Sequence, residues 1–400
     1  MNTKKILAVL IAGVCAGPML ANADETKVTI YGNLFPEFNF ISTSGATPVN
    51  GPRNTLSGAP TGIEVPRHNE VQASNSRIGF RGSEKLPGGY EAFFQIESAV
   101  AIDGGAGEWA ARDSWVGIKG GFGSLKLGKF DTVYKEYGDR LSFLGVSSGN
   151  FVSNSNVLSK AGFGTSSSSS FHIRRENSIQ YDSPELGEFE FAIMYSPDEA
   201  KTASRNANVV SMGVQYGGGK DDPLLLAIGY EVHNDLFGAS RNIPAALSNT
   251  ANLGARAKDT ALRFTAAYNF GKSTSVEFNY ATMEYKESGG LAGRFQNYKH
   301  GAYSLSLLHR VKSWQFAASM SRANAGTCSL VGGVACTTDG LDGRQVSIGT
   351  SYNFSRRASV FVIFSKLTNG YAASYENLDL YRASSGSDIS QFAIGMQHRF

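Results

Sequence analysis

Cationic side chains alternate with apolar ones in several segments of this sequence, and they are the residues best suited to attract a ligand. Arg77 and Arg81 flank Ile78 and Phe80, and Lys126 lies between two leucines. In an extended strand, successive side chains point to opposite faces of the sheet. One face of each such strand is therefore apolar, and the other face carries fixed positive charge that could attract anions.

Period-two alternation extends over most of the chain and predicts strands rather than helices. It is clear at residues 189–195, 262–270, 276–280 and 392–396, where apolar and polar residues alternate. We recognise about sixteen such runs, each close to the length that crosses a bilayer as a tilted strand. Beyond the N-terminal segment, no run reaches the roughly 18 consecutive apolar residues that a membrane helix needs.

The connections between these runs alternate between long loops and tight turns. Long polar or Gly/Ser/Pro-rich stretches lie near 43–66, 131–172, 234–257, 322–343 and 368–388, and tight turns lie at 120–123, 182–185, 271–272, 311–312 and 355–356. This asymmetry is typical of an outer-membrane barrel, and both termini at the short-turn end require an even strand number. The pattern predicts one all-β domain over residues 24–400, a 16-stranded antiparallel transmembrane β-barrel. A soluble sandwich would also alternate, but sixteen strands would then share one domain without a visible boundary.

The first residues have the pattern of a cleaved export signal. Lys4 and Lys5 precede an apolar stretch at 6–15, and a small-x-small cleavage site follows at 21–23. We expect residues 1–23 to be removed and the mature chain to start at Asp24. Because the signal holds two basic residues and no acidic one, the net charge falls from +3 to +1. Such a balance excludes a strongly basic nucleic-acid binder.

Four segments in matching order resemble the general porins of Gram-negative bacteria, especially the β-proteobacterial and Neisserial type. They are SRIGFRG at 76–82, GGFGSLKLGK at 120–129, RRENSIQYDSP at 174–184 and GMQHRF at 395–400. The resemblance implies a sixteen-stranded barrel among outer-membrane lipids, usually a homotrimer, whose third extracellular loop folds inward and narrows the pore. That loop corresponds to about 131–172. The resemblance also implies that the barrel-assembly machinery recognises the final Phe400.

Strand parity indicates which charged residues line such a pore. If Ile78 and Phe80 face lipid, the arginines beside them face the lumen, and Arg174 shares the inward parity of Ser178 and Gln180. The expected basic row is Arg77, Arg81, Arg112, Lys126 and Arg174, and the expected acidic row, on the pore loop, is Asp131, Glu136 and Asp139. Opposed rows would favour small hydrophilic solutes and ions, and a basic surplus predicts a mild preference for anions. These charges could also be ordinary lumen or rim residues.

Cys328 and Cys336 are the two cysteines of the expected mature chain, and they lie eight residues apart in a Gly-rich loop. Because the periplasm is oxidising, we predict a disulfide that fixes this loop. No His lies near the pair, so a metal site is not expected.

Aromatic residues near strand ends predict the girdles that mark the two membrane surfaces. They are Tyr31, Tyr216, Tyr268, Phe270, Tyr352, Phe354 and Phe400. In a soluble barrel the same residues would belong to the core.

Two other classes of function remain as alternatives. An enzyme would need a nucleophile beside a base, and the six His residues show no such motif. No Gly-rich phosphate loop or paired-Cys metal motif is present either, so no cofactor and no catalysis are expected. A substrate-specific channel or an adhesin-like barrel would share the alternation, and conductance measurements would separate them from a general pore.

Overall fold

A computed structural model describes residues 27–73, 75–105, 107–138, 140–141, 143–144, 151–164, 169–199, 201–219, 222–376 and 384–400. The expected export signal, residues 1–23, lies outside these ranges. No helix within them is long and apolar enough to cross a membrane.

The described chain forms nineteen antiparallel strands in one sheet. They are β1 (Lys27–Leu34), β2 (Glu37–Ser44), β3 (His68–Gln72), β4 (Arg77–Leu86), β5 (Tyr90–Ala99), β6 (Ser114–Gly120), β7 (Gly123–Asp131), β8 (Arg174–Asp182), β9 (Phe189–Pro197), β10 (Asn208–Gly217), β11 (Leu224–Asn234), β12 (Arg256–Phe270), β13 (Thr274–Ser288), β14 (Phe295–Val311), β15 (Trp314–Ala323), β16 (Thr327–Leu330), β17 (Gly343–Asn353), β18 (Ala358–Asn369) and β19 (Asp388–Arg399). Three short helical turns accompany them, at Pro87–Gly89, Val133–Glu136 and Ser155–Leu158.

These strands close into a barrel of sixteen, as the sequence predicts. Strands β1 and β2 are consecutive halves of the first barrel strand, since both pair with β19. Strands β3 and β4 together form the second barrel strand, and β16 is a short extra strand that pairs with the loop end of β14. The pairing of β1 with both β4 and β19 closes the sheet, so no long edge is left unpaired.

Side chains alternate across the wall between a polar inside and an apolar outside. On β13, Glu277 and Asn279 are fully buried, whereas Phe278 and Tyr280 between and beside them are exposed. A continuous exposed apolar surface of this kind is unfavourable in water but suits the hydrocarbon of a bilayer. The alternation that predicted strands is therefore the alternation between lipid and lumen.

Loops and turns segregate to opposite ends of the barrel. The five predicted long loops correspond to the stretches 45–67, 132–173, 235–255, 324–342 and 370–387 between strands, and the five predicted tight turns join strands at the other end. One detail differs, because the predicted loop at 322–343 contains strand β16. Because β16 pairs with the loop end of β14, the barrel wall extends further at this point than at the neighbouring strands.

Aromatic rings cluster on the outer surface at the turn end. Tyr268 lies 4.7 Å from Phe270, and the ring of Tyr352 contacts both Trp314 (5.0 Å) and Phe354 (5.2 Å). The predicted girdle assignment is wrong for Tyr31, because its hydroxyl donates to Glu97 Oε2 at 3.1 Å, inside the barrel. Strand parity explains this case, because Val28 and Ile30 are the exposed apolar residues of β1 and Tyr31 has the opposite parity.

The two-sided wall leads to a depth-dependent stability prediction. Ile348 lies at the middle of β17 and is 54% exposed, whereas Phe354 lies at the turn end and is 67% exposed. We expect Ile348→Arg to reduce the free energy of unfolding by about 2–4 kcal/mol and Phe354→Arg by about 0–1 kcal/mol, because arginine is costly only at the bilayer centre. Urea unfolding in lipid vesicles measures both. Equal losses for the two variants would contradict the membrane-spanning orientation.

Candidate functional site

A cluster of opposite charges on the inner wall of β4 and β5 centres on Glu97. Its Oε1 accepts from Arg112 Nε at 2.6 Å, and its Oε2 lies 3.5 Å from Arg77 Nε and 3.1 Å from the hydroxyl of Tyr31. The Glu97 side chain is only 8% exposed, so both guanidinium groups serve to compensate a nearly buried carboxylate. We call Arg77, Arg81, Arg112 and Glu97 the Glu97 cluster.

Arg81 completes this cluster as its exposed cation. Its guanidinium lies over the ring of Tyr31, 5.2 Å from the centroid, and it forms no salt bridge to any residue that the structure describes. The ring is able to lie here because the residue opposite is Gly79: a Cβ at that position would lie 2.4 Å from Cζ of Tyr31. The predicted inward parity thus brings Arg77 and Arg81 together with Arg112.

Lys126 is also on the inner wall, on β7. Its Nζ lies 3.5 Å from Asp182 Oδ2 and 5.1 Å from the ring centroid of Phe130. Asp182 lies at the end of β8, and the amide of Gln180 donates to its Oδ1 at 2.6 Å. Lys126 therefore has a local counter-ion.

Arg174 lies at the start of β8, where a bulge interrupts the alternation used to predict its direction. Ser178 pairs with Gly128, but Arg175 and not Glu176 pairs with Phe130. Asn177 adopts a positive φ of 55° within this bulge. Strand parity therefore does not extend past the bulge to Arg174, and Arg175 takes the register of the inward-facing Phe130.

Arg174 binds two carboxylates where the pore loop begins. Its Nε donates to Asp113 Oδ1 at 2.8 Å, and its Nη2 lies 2.8 Å from Asp131 Oδ1. Burial raises the pKa of Asp113, but the hydrogen bond and the charge of Arg174 outweigh this effect and hold the pKa below its ordinary value. Asp131 also binds Lys135 at 2.9 Å, so this is a compact four-charge network.

The two described members of the predicted acidic row, Asp131 and Glu136, lie near the wall formed by β7 and β8. Asp131 is the last residue of β7 and is bound to cations of the same wall. Glu136 is exposed, and its carboxylate lies 3.5 Å from Gln180 Nε2, on the strand that pairs with Lys126. Asp139 lies outside the described residues.

The described parts of the loop between β7 and β8 pack against the inner wall of β10 to β17. The amide of Tyr134 donates to Ser211 Oγ at 2.9 Å, and Asn154 Nδ2 donates to Ser306 Oγ at 2.8 Å. Further along, Asn156 Nδ2 donates to Gln345 Oε1 at 3.2 Å, and the ring of Phe171 stacks on His233 at 4.5 Å. These described parts of the loop thus cover one side of the lumen, and the Glu97 cluster lies on the wall that these parts leave uncovered.

Several buried wall charges hold loops in place, and the sequence analysis did not identify them. Arg263 donates to the carbonyl of Tyr134 and lies under its ring at 4.4 Å. Glu277 accepts from the amide of Leu141 at 2.7 Å, and Glu287 accepts from Ser240 Oγ at 2.6 Å. Their lumen parity was readable in the sequence, but only contacts between distant segments reveal what they bind.

Cys328 and Cys336 are joined by a disulfide with a Cα–Cα distance of 5.7 Å. The bond connects β16 to the rest of its loop. Among the residues that the structure describes, no group of three or more His, Cys, Asp or Glu side chains could hold a metal ion.

The network around Arg174 predicts a pH-dependent contribution to stability. Because the pKa of Asp113 is lowered in the fold, its contribution is present above its unfolded-state pKa of about 3.9 and is lost as pH falls through the lower folded value. We expect Asp113→Asn to cost about 1–3 kcal/mol of unfolding free energy at neutral pH. The difference from the parent chain should shrink as pH falls through the folded-state pKa of Asp113 and vanish below it.

Urea unfolding in detergent micelles across this pH range measures the effect. Asp103→Asn is the matched control, because Asp103 is an exposed acid in the same stretch between β5 and β6 and forms no salt bridge within the described chain. A penalty for Asp113→Asn that stays constant down to the lowest pH would refute the role assigned to this carboxylate.

Comparison with known proteins agrees with this architecture. A model of the Gram-negative porin family matches residues 7–372. The major outer membrane protein P.IB of Neisseria meningitidis serogroup B is 26% identical over 418 residues, which cover 99% of each chain. Its counterpart from Neisseria lactamica is 28% identical over 215 residues, 54% of this chain and 56% of that one.

Solved structures share the fold at low sequence identity. The anion-selective porin from Comamonas acidovorans superposes with a TM-score of 0.70 at 19% identity, over 94% of this chain and all of that one (100%). OmpT of Vibrio cholerae, solved in a trimer form, gives a TM-score of 0.62 at 16% identity, with coverage of 94% and 100%. The chain belongs to the Gram-negative porin family and is a β-barrel channel protein of the bacterial outer membrane.

Proposed function

We propose that this porin passes small hydrophilic solutes and ions by diffusion, with a mild preference for anions. The observation that carries the proposal is the Glu97 cluster, in which three arginines on the uncovered wall face a single carboxylate. A diffusion pore makes no lasting bonds with its solutes, so the field of its fixed charges decides which ions enter.

The remaining charges of the site nearly cancel, which is why the preference should be mild. Lys126 is matched by Asp182, and the network of Arg174 and Lys135 contains two carboxylates. Glu136 adds one exposed negative charge. The two surplus cations of the Glu97 cluster are thus reduced to one surplus positive charge over the described site. The selectivity named for the Comamonas porin is consistent with this sign.

We also propose a homotrimer in outer-membrane lipids, as for the trimer form of the Vibrio protein. Recognition by the barrel-assembly machinery would use Phe400, whose ring is 44% exposed at the end of the barrel wall. Its amide donates to the carbonyl of Gly32 at 3.2 Å, so the residue directly follows β19 and continues its pairing with the first barrel strand. Residues 1–23 would serve as the cleaved export signal, and no catalytic activity is proposed.

Reversal potentials in a KCl gradient test the sign and origin of the selectivity. A unit charge about 6 Å from the ion path changes an ion's energy by about 0.7 kcal/mol in water, roughly a threefold change in preference. Arg81→Gln should lower the chloride-to-potassium permeability ratio by up to this factor, and Glu97→Gln should raise it similarly.

The double variant Glu97→Gln/Arg112→Gln is the matched control, because it leaves the net charge unchanged and should keep the parental ratio. Retained heat-modifiable mobility on gels would show that each variant is folded. Clear cation selectivity of the parent channel would refute the proposal.

Conductance separates a general pore from a substrate-specific channel or an adhesin-like barrel. We expect single-channel current that is linear with voltage, rises with salt without saturating, and closes in steps of three. A general pore lacks a tight solute site in its constriction, so neutral sugars should reduce the current only by raising viscosity. Strong inhibition by one particular sugar would favour the substrate-specific alternative, and absence of any conductance would favour the adhesin.

A further inference from the structure

Four arginines line one cavity at the turn end of the lumen, and none of them belongs to the Glu97 cluster. The cavity has a volume of about 200 Å³ and is bordered by Arg310, Arg356, Arg357 and Arg399. The other lining residues are uncharged, and no Asp or Glu of the described chain is among them. We call these four residues the mouth arginines.

Strand parity places two of the mouth arginines on the lumen side. On β14, Leu308 is buried and Leu307 is exposed to lipid, so Arg310 continues the inward face. On β19, Gln397 is buried and Met396 is exposed, so Arg399 points inward. Arg356 and Arg357 belong to the turn between β17 and β18, and the amide of Arg399 donates to the carbonyl of Arg357 at 2.8 Å. Strand pairing therefore brings β14, β19 and the turn between β17 and β18 together at the turn end of the lumen.

The mouth arginines have no acidic counter-ions within the part of the chain that the structure describes. None of the salt bridges found there involves them. One guanidinium is nevertheless held in place: in the amide orientation that satisfies both groups, the oxygen of Gln397 accepts from Arg399 Nε at 3.1 Å and Nη2 at 3.0 Å. Four neighbouring cations repel one another, and an anion among them would relieve that repulsion.

We propose that the mouth arginines form a binding site for a small divalent oxyanion, a phosphoryl or dicarboxylate group, at the periplasmic mouth of the pore. Guanidinium groups match the geometry of such anions because each offers paired N–H donors. The volume is below the 300–1,000 Å³ of pockets that enclose drug-sized ligands, so the site suits a small anion. General diffusion requires no such site, and the inference therefore goes beyond the proposed function.

The site adjoins the Glu97 cluster through one residue of the first barrel strand. Asn33 pairs with Arg77 on β4 and with Arg399 on β19. Two strand spacings amount to roughly 10 Å, which is about one Debye length at 0.1 M salt. A dianion at the mouth arginines would therefore reduce the field that draws chloride toward Arg77.

Planar-bilayer recordings of the full protein test the inference with inorganic phosphate as the probe. Phosphate added on the turn side should reduce chloride current along a saturable curve, and malonate tests the dicarboxylate arm. Acetate, a monovalent anion, should give no saturable effect. Arg310→Gln/Arg399→Gln should raise the half-saturating phosphate concentration about tenfold or more, because charge-assisted hydrogen bonds to the anion are lost.

The matched control is Arg53→Gln/Arg241→Gln, which removes two exposed arginines from loops at the opposite end and should leave the phosphate curve unchanged. If Arg399 variants fail to fold, Arg310→Gln/Arg356→Gln replaces them. A linear phosphate effect, or an unchanged curve in the mouth variants, would overturn the inference.

The reversal potential in KCl alone separates this inference from the proposed function. Anion preference without saturable phosphate binding would remove the mouth site and leave the proposed function intact. Cation preference with saturable binding that the mouth variants lose would overturn the proposed function and support the site.

Discussion

Backbone hydrogen bonding in hydrocarbon is the constraint on which this structure depends. A bilayer offers no water to satisfy an unpaired amide, so every spanning strand must be paired on both sides. The pairing of β1 with β19 meets that demand by closing the sheet. Closure then separates the wall into two environments, and the sequence must be apolar toward one of them while it is free to be charged toward the other.

Because lumen-facing positions can be charged, the acidic residues there serve different purposes on the two sides of the barrel. On the side covered by the pore loop, Glu277 and Glu287 accept hydrogen bonds from loop residues, so they serve to hold loops in place. On the uncovered side, Glu97 is the one carboxylate of the described chain that forms salt bridges with Arg77 and Arg112, and Arg81 remains exposed. The positive surplus beside the open lumen thus follows from the use of acids elsewhere.

Alternation made the fold predictable from sequence, because each lipid-facing residue is apolar for the same reason. It also predicted the inward direction of Arg77 and Arg81. It does not extend to Arg174, because the alternation does not reveal the bulge at Asn177, which shifts the register of β8. The partners of these cations were not predictable, because Glu97 meets Arg77 only through the register of two strands, and the counter-ions of Arg174 come from two other strand ends. Strand parity predicts which face of the wall a side chain points to, whereas its ion-pair partner depends on which strands become neighbours in the closed barrel.

The position of the mouth arginines gives the pore an electrostatic asymmetry. They are exposed to water at the turn end of the lumen, where each guanidinium keeps much of its hydration, whereas Glu97 and Arg77 are largely buried. A hydrated site binds weakly and releases quickly, and conduction requires both favourable entry and easy exit. Arg399, Asn33 and Arg77 follow one another across three adjacent strands, so positive charge extends from the mouth to the Glu97 cluster without a large gap. An anion moving along this wall passes between weak sites, which raises its local concentration without trapping it.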